Sequence, residues 1–203
     1  MSANRLGALT GVGFVVFLIL SFVVAGEPPA QDDSTQEIVD FYTDNDDQVW
    51  IGVSLSMIAA TFLVLFGGYL RKVLRAAEGE GHMLSSVVLA GATIVAVGAA
   101  FDATLSVALV ETVDDIDPVG VQTLNALWNN DYIPIGLGAM ILSLAAGLSV
   151  VRHGALPKWL GWAAILFAVI SATPIGFAGV IGTALWILVV SIMLAMRADS
   201  ATA

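Results

Sequence analysis

LSSVVLAGATIVAVGAAFDATLSVALV, residues 84–110, decides the fold: it holds one charged side chain, Asp102, in 27 residues. A hydrocarbon core of about 30 Å is crossed by roughly 20 helical residues, so this run is long enough to span a bilayer. Working outward, five more runs of the same character can be drawn. They are Leu6–Ala25, Val49–Leu70, Tyr132–Val151, Lys158–Ala172 (extended to Pro174) and Phe177–Met196. Between them lie two long connections, residues 26–48 and 111–131. Hydrophobic residues make up 58% of the 203 and charged residues 12%, at a mean hydropathy of +0.92. Within lipid every backbone amide needs an internal partner, which a helix supplies within one segment. The alternating ten-residue pattern of a membrane barrel is absent. The sequence predicts an all-α, polytopic transmembrane helical bundle of six spans in a single domain.

The basic residues orient it. All seven (Arg5, Arg71, Lys72, Arg75, Arg152, Lys158 and Arg197) fall at the two termini or on the second and fourth connections. Six spans put those four segments on one side, which the positive-inside rule makes the cytoplasm. The opposite side is acidic. Its first loop carries Glu27, Asp32, Asp33, Glu37, Asp40, Asp44, Asp46 and Asp47, and its second carries Glu111, Asp114, Asp115 and Asp117. Such a surface disfavours nucleic acid and attracts cations or basic partners, though a solvated loop is the plainer reading. DNDD at 44–47 lacks the glycine and the bidentate glutamate of a calcium loop.

Both long loops contain helix signals. Ser34-Thr35-Gln36-Glu37 fits a capping box, followed by Ile38, Phe41 and Tyr42 on one face. VGVQTLNALWNN, residues 119–130, places Val121, Leu124, Leu127 and Trp128 similarly. Each predicts a short helix lying on the outer interface. Trp50, Trp128 and Tyr132 fall at outer boundaries and Tyr69, Trp159 and Trp162 at inner ones, as an aromatic belt requires. Gly154 suits a left-handed helix end and Pro157 the first turn of the next helix.

The first span, with Arg5 ahead of it and small residues near Ala25, has some features of a secretory leader. Its apolar stretch exceeds a leader's 7–15 residues, and a retained helix is expected. Gly7 and Gly11, and Gly176, Gly179 and Gly182, form small-residue faces that permit close helix packing, inside the bundle by default or against a second copy or another membrane partner.

Chemistry is sparse. With no cysteine, thiolate metal sites and cysteine nucleophiles are excluded. His82 and His153 lie at inner boundaries, out of position for a haem held between spans, and a metal shared with Glu78 or Glu80 is less economical than solvated loop histidines. Neither a phosphate loop nor an HExxH pair nor a nucleophile elbow occurs. No catalytic, cofactor-binding or metal residue is assigned, and no cofactor is expected.

Asp102 is the candidate functional acid. It lies about 27 Å up its helix from Leu84, and shares a stripe with Gly91, Gly98 and Ser106 that should face other helices. A charge within a span is expensive, and neither the span interiors nor the outer loops supply a Lys or Arg. The plainer reading is a shallow carboxyl hydrogen-bonded to Ser54, Asn129, Asn130, Tyr132 or Thr173, or hydrated. The sharper one is a protonated or cation-binding acid. Asp131 reads as a helix N-terminal residue favoured by the dipole.

Three stretches, EIVDFYTDND (37–46), FGGYLRKVLRAAEGEG (66–81) and VVRHGALPKWLGW (150–162), resemble a broad group of uncharacterised bacterial multi-pass membrane proteins. The resemblance implies about six spans in the cytoplasmic membrane, without an activity or a functional residue to carry over. The expectation is a non-catalytic membrane binding or accessory protein in contact with the lipid bilayer. A small proton- or cation-coupled transporter using Asp102 is the alternative, and a membrane-embedded enzyme the third.

Overall fold

The computed structural model describes residues 3–79 and 83–200. Among these the secondary structure is entirely helical, in eight segments: α1 (Ala3–Ala25), α2 (Thr35–Asp44), α3 (Asp46–Glu78), α4 (Leu84–Thr112), α5 (Pro118–Trp128), α6 (Ile133–His153), α7 (Lys158–Ser171) and α8 (Gly176–Ser200). Five segments are long and apolar enough to cross a membrane: Ala3–Ala25, Asp46–Glu78, Leu84–Thr112, Pro118–His153, which contains α5 and α6, and Gly176–Ala198. The protein is therefore a helical bundle of the multi-pass membrane type.

α7 is apolar but has only 14 residues, roughly 21 Å of helix. The fifth run drawn in the sequence continued to Pro174, whereas the helix stops at Ser171. Its last amides fold back in tight turns, Ala172 N–H to Val169 O at 3.2 Å and Thr173 N–H to Ile170 O at 3.0 Å. Pro174 has no amide to extend the ladder and disfavours helical geometry in the residue before it.

The six longer apolar helices close into a ring. α1 packs along α3, α3 along α4, α4 along α6, α6 along α7, α7 along α8, and α8 returns to α1. The core inside it joins Ala8 and Phe14 of α1, Leu63 and Phe66 of α3, Val88 and Ala92 of α4, Leu142 and Ala146 of α6, Leu160 of α7, and Trp186 and Val190 of α8. Outward the ring presents large apolar side chains, among them Ile19, Phe22, Leu65, Val97, Leu166 and Ile192. An aqueous surface would not tolerate so large an apolar area, but lipid does.

Small residues set the helix spacing. A Cβ on Gly7 or Gly11 would strike the rings of Tyr69 and Phe66 on α3, and one on Gly182 the ring of Phe167 on α7. The glycine faces seen in the sequence are thus occupied within the chain. α1 is further tied to α8 through Ser191, whose hydroxyl accepts from Val12 N–H at 3.0 Å and donates to Ala8 O. This first helix is an integral wall of the ring.

α2 and α5 form a cap over one end of the bundle. The capping box at Ser34 is complete, with Glu37 N–H to Ser34 Oγ at 3.3 Å and Ser34 N–H to Glu37 Oε2 at 2.9 Å. Asp117 caps α5 by accepting from Val119 N–H at 2.9 Å, and Pro118 fills its first turn. The cap has its own apolar centre: Ile38 and Tyr42 of α2, Val121 of α5, Val49 of α3, and Leu109 and Val113 at the end of α4. The opposite, basic end has only short connections. There Gly154 ends α6 at φ +78°, the left-handed geometry the sequence suggested.

Candidate functional site

Acids are withdrawn from solvent at both ends of the bundle, and they differ in how well they are satisfied. At the basic end Glu78, the last residue of α3, is 4% exposed. Its Oε1 accepts from Ser85 N–H at 2.9 Å and Ser149 Oγ at 2.6 Å, and its Oε2 from Ser85 Oγ at 2.8 Å. The Ser85 amide belongs to the first turn of α4, where backbone donors lack helical partners and favour an anion. One carboxylate thereby ties α3, α4 and α6. His153 lies within electrostatic range. The sequence reading placed Glu78 in a flexible loop and considered it only as a metal partner of histidine. Within the folded chain its bonding is structural. Glu80 and His82 lie outside the described residues. Groups of three or more His, Cys, Asp or Glu placed to hold a metal do not occur among the described residues.

At the capped end the acid is Asp102, half-buried on α4. The stripe below it faces α6, as its small residues predict. A Cβ on Gly91 would meet Leu142 N at 2.5 Å, one on Gly138 would meet Val95 N at 2.5 Å, and one on Gly98 would meet Ile135 N at 2.9 Å. These pairs, 91 with 142, 95 with 138 and 98 with 135, belong to one antiparallel register. One turn further along α4 stands Asp102, and Asp131 lies in the turn just before α6. The charge of Asp131 acts on Asp102 accordingly.

Asp131 differs from its sequence reading. It lies in the turn between α5 and α6 and makes no side-chain cap there; the residue at the helix start is Tyr132, whose side chain makes no cap hydrogen bond either. The Asp131 side chain is instead 8% exposed, and its Oδ2 is buried without a hydrogen-bond partner. Trp128 differs too. Read as part of the aromatic belt, it turns its indole Nε1 inward, beside the Asp102 carboxyl, where that nitrogen is buried without a well-formed hydrogen bond. Trp50, Tyr132, Trp159 and Trp162 do remain on the outside of the bundle.

The polar groups proposed from sequence as partners for Asp102 are engaged elsewhere. Ser54 donates to Trp50 O at 2.9 Å, Thr173 to Ile170 O at 2.7 Å, Asn129 to Pro29 O at 3.2 Å, and Asn130 to Gln31 Oε1 at 3.0 Å. Tyr132 is half-exposed.

Above the acid pair the cap is fastened by Asn125, fully buried on α5. Its amide donates to Pro29 O at 3.4 Å and Ala30 O at 3.3 Å, and its Oδ1 accepts from the Tyr42 hydroxyl at 3.4 Å. Burial first, and the Asp102 charge second, hold that hydroxyl far above the usual tyrosine range. Sequence analysis missed Asn125. The available signal was an amide at the centre of an otherwise apolar face, Val121 to Trp128.

Chemically, then, the basic end holds a saturated carboxylate and the capped end an unsaturated pair. Two surface clefts flank the capped end. One is lined by Glu27, Pro29, Asp33, Glu37 and Phe41, the other by Tyr132, Gly136, Met140, Ser171 and Gly176. Neither reaches Asp102. Comparison of the chain with protein-family models, with characterised proteins and with solved structures gives no match.

Proposed function

We propose that the chain is a six-span protein of the bacterial cytoplasmic membrane, with both termini in the cytoplasm, acting as a non-catalytic binding or accessory protein through its outer face. The observation that carries this reading is the asymmetry of the bundle. One end is covered by a folded, acidic cap with its own core, and the other has only short basic connections. The closed ring supports counting α7 as the sixth span although it is short, because local bilayer thinning accommodates such a helix at modest cost. An even count also brings all seven cationic residues to one side, as the positive-inside rule requires. In this orientation α2 and α5 lie at the outer membrane surface.

Cation-coupled transport through Asp102 is less well supported. A carrier needs a path past its acid, and such sites are usually built at broken helices near mid-membrane. Here α4 runs unbroken, and below Asp102 it meets α6 at backbone contact through Gly98 and Gly91.

The chain has no cysteine, so single-cysteine labelling tests the topology cleanly. Asp44→Cys and Asp115→Cys should react with a membrane-impermeant maleimide in intact cells, and Ala155→Cys only after permeabilisation. Labelling of Ala155→Cys from outside would overturn the orientation. Proteoliposomes separate the roles: ion flux abolished by Asp102→Asn would establish the transporter instead.

A further inference from the structure

We propose that Asp102 and Asp131 together form a binding site for one divalent cation at the capped end of the bundle. Three independent observations carry it. First, Gly98, one turn before Asp102, meets Pro134 and Ile135 at the start of α6, and the charge of Asp131, in the turn just ahead of them, acts on Asp102. Second, Asp131 is 8% exposed and its Oδ2 has no hydrogen-bond partner, although buried polar atoms are otherwise almost always satisfied. The saturated Glu78 in the same chain shows what a purely structural buried acid looks like. Third, compensating charge cannot come from the chain, because every Lys and Arg lies at the other end of the spans or beyond them.

The chemistry selects the class of ion. Two carboxylates offer hard oxygen ligands and two negative charges. Divalent magnesium and calcium take such ligands, and magnesium commonly uses only one or two carboxylates with water completing its shell. The acidic loops at the capped end raise the local cation concentration. The Trp128 N–H lies beside Asp102 and cannot ligate a cation. It is placed to donate to a carboxylate oxygen that does not, the usual role of an outer-shell partner. Tyr42, above, contributes a neutral hydroxyl that is already directed to Asn125.

The inference rests on the proposed orientation only for where the ion comes from. In detergent both faces are accessible, so binding is tested separately from topology. Purified protein is stripped with chelator and its unfolding midpoint is followed against MgCl2 and CaCl2, with KCl matching the ionic strength. The expected result is a saturable rise in the wild type, absent in Asp131→Asn and Asp102→Asn and retained in Asp46→Asn, at the start of α3. Trp128→Phe should bind about tenfold more weakly. Without ion, Asp131→Asn should melt no lower than the wild type, because it removes an unpaired buried charge. A midpoint insensitive to both metals overturns the proposal, as does a rise undiminished in Asp131→Asn. Stabilisation by acid alone, with neither metal effective, also overturns it and puts a proton in the ion's place.

Discussion

Ser149 Oγ donates to Glu78 Oε1 across 2.6 Å, joining the C-terminal part of α6 to the last residue of α3. Breaking a hydrogen bond to a buried charge costs about 1.5–3 kcal/mol. Ser149→Ala should lower stability by about that amount. Glu78→Ala should cost more, since it strands both serine hydroxyls and the Ser85 amide. Thermal unfolding in detergent measures both, and equal midpoints for the two variants would contradict the arrangement.

The α4–α6 contact is made by backbone. A methyl on Gly91 would lie 2.5 Å from Leu142 N and 2.8 Å from its Cα, so the helices must separate to admit it. Overpacking of this kind costs about 1–3 kcal/mol, and Gly91→Ala should destabilise accordingly. Gly68, inside α3, faces open space. Gly68→Ala should be neutral or stabilise by up to about 1 kcal/mol, because alanine loses less freedom in a helix. A common response of the two glycines in a melting series would refute the close contact.

Asn125 holds the connection after α1 against α5. Asn125→Ala removes the donor to Pro29 and Ala30 and the acceptor for Tyr42. Limited proteolysis at Glu27 should accelerate, while the unfolding midpoint of the ring changes little. Tyr42→Phe should produce a smaller effect in the same direction, since it leaves the amide bonds in place.

The capping box has a defined pH signature. The Ser34 hydroxyl, then the Ser34 amide, holds the Glu37 carboxyl below its ordinary value. Its folded value is therefore the lower one. The contribution to α2 is complete above the unfolded value and is lost as pH falls through the folded one. The amide resonance of Ser34 should titrate in that acid range by NMR, and Glu37→Gln should abolish the titration. A midpoint above the ordinary glutamate value would exclude the box in solution.

Much of this was legible in the chain because it is local or depends on one dimension. Apolar run length identifies helices long enough to cross lipid. Ser34 to Glu37 specifies a helix start within four residues, and the spacing of Gly91, Gly98 and Asp102 specifies a face. The end of α7 was misplaced by three residues, because run length registers apolar character while a turn before proline depends on backbone geometry.

What stands opposite each face is decided only in three dimensions. Asp102 was visible as an acid on a small-residue stripe, but the acid whose charge acts on it lies 29 positions away, in the turn leading into the α4–α6 register. That register follows from which glycines let two backbones touch, and no single helix contains the information. The same holds for Trp128, Asn125 and Glu78. By composition they are a belt residue, a loop amide and a loop acid, and tertiary packing makes them an indole beside a carboxyl, a fastener and a buried anchor. The sequence by itself determined that the chain forms helices suited to lipid, since that is set by hydropathy and backbone hydrogen bonding. The structure alone decided which polar groups are left without partners, because satisfaction depends on the distances between helices.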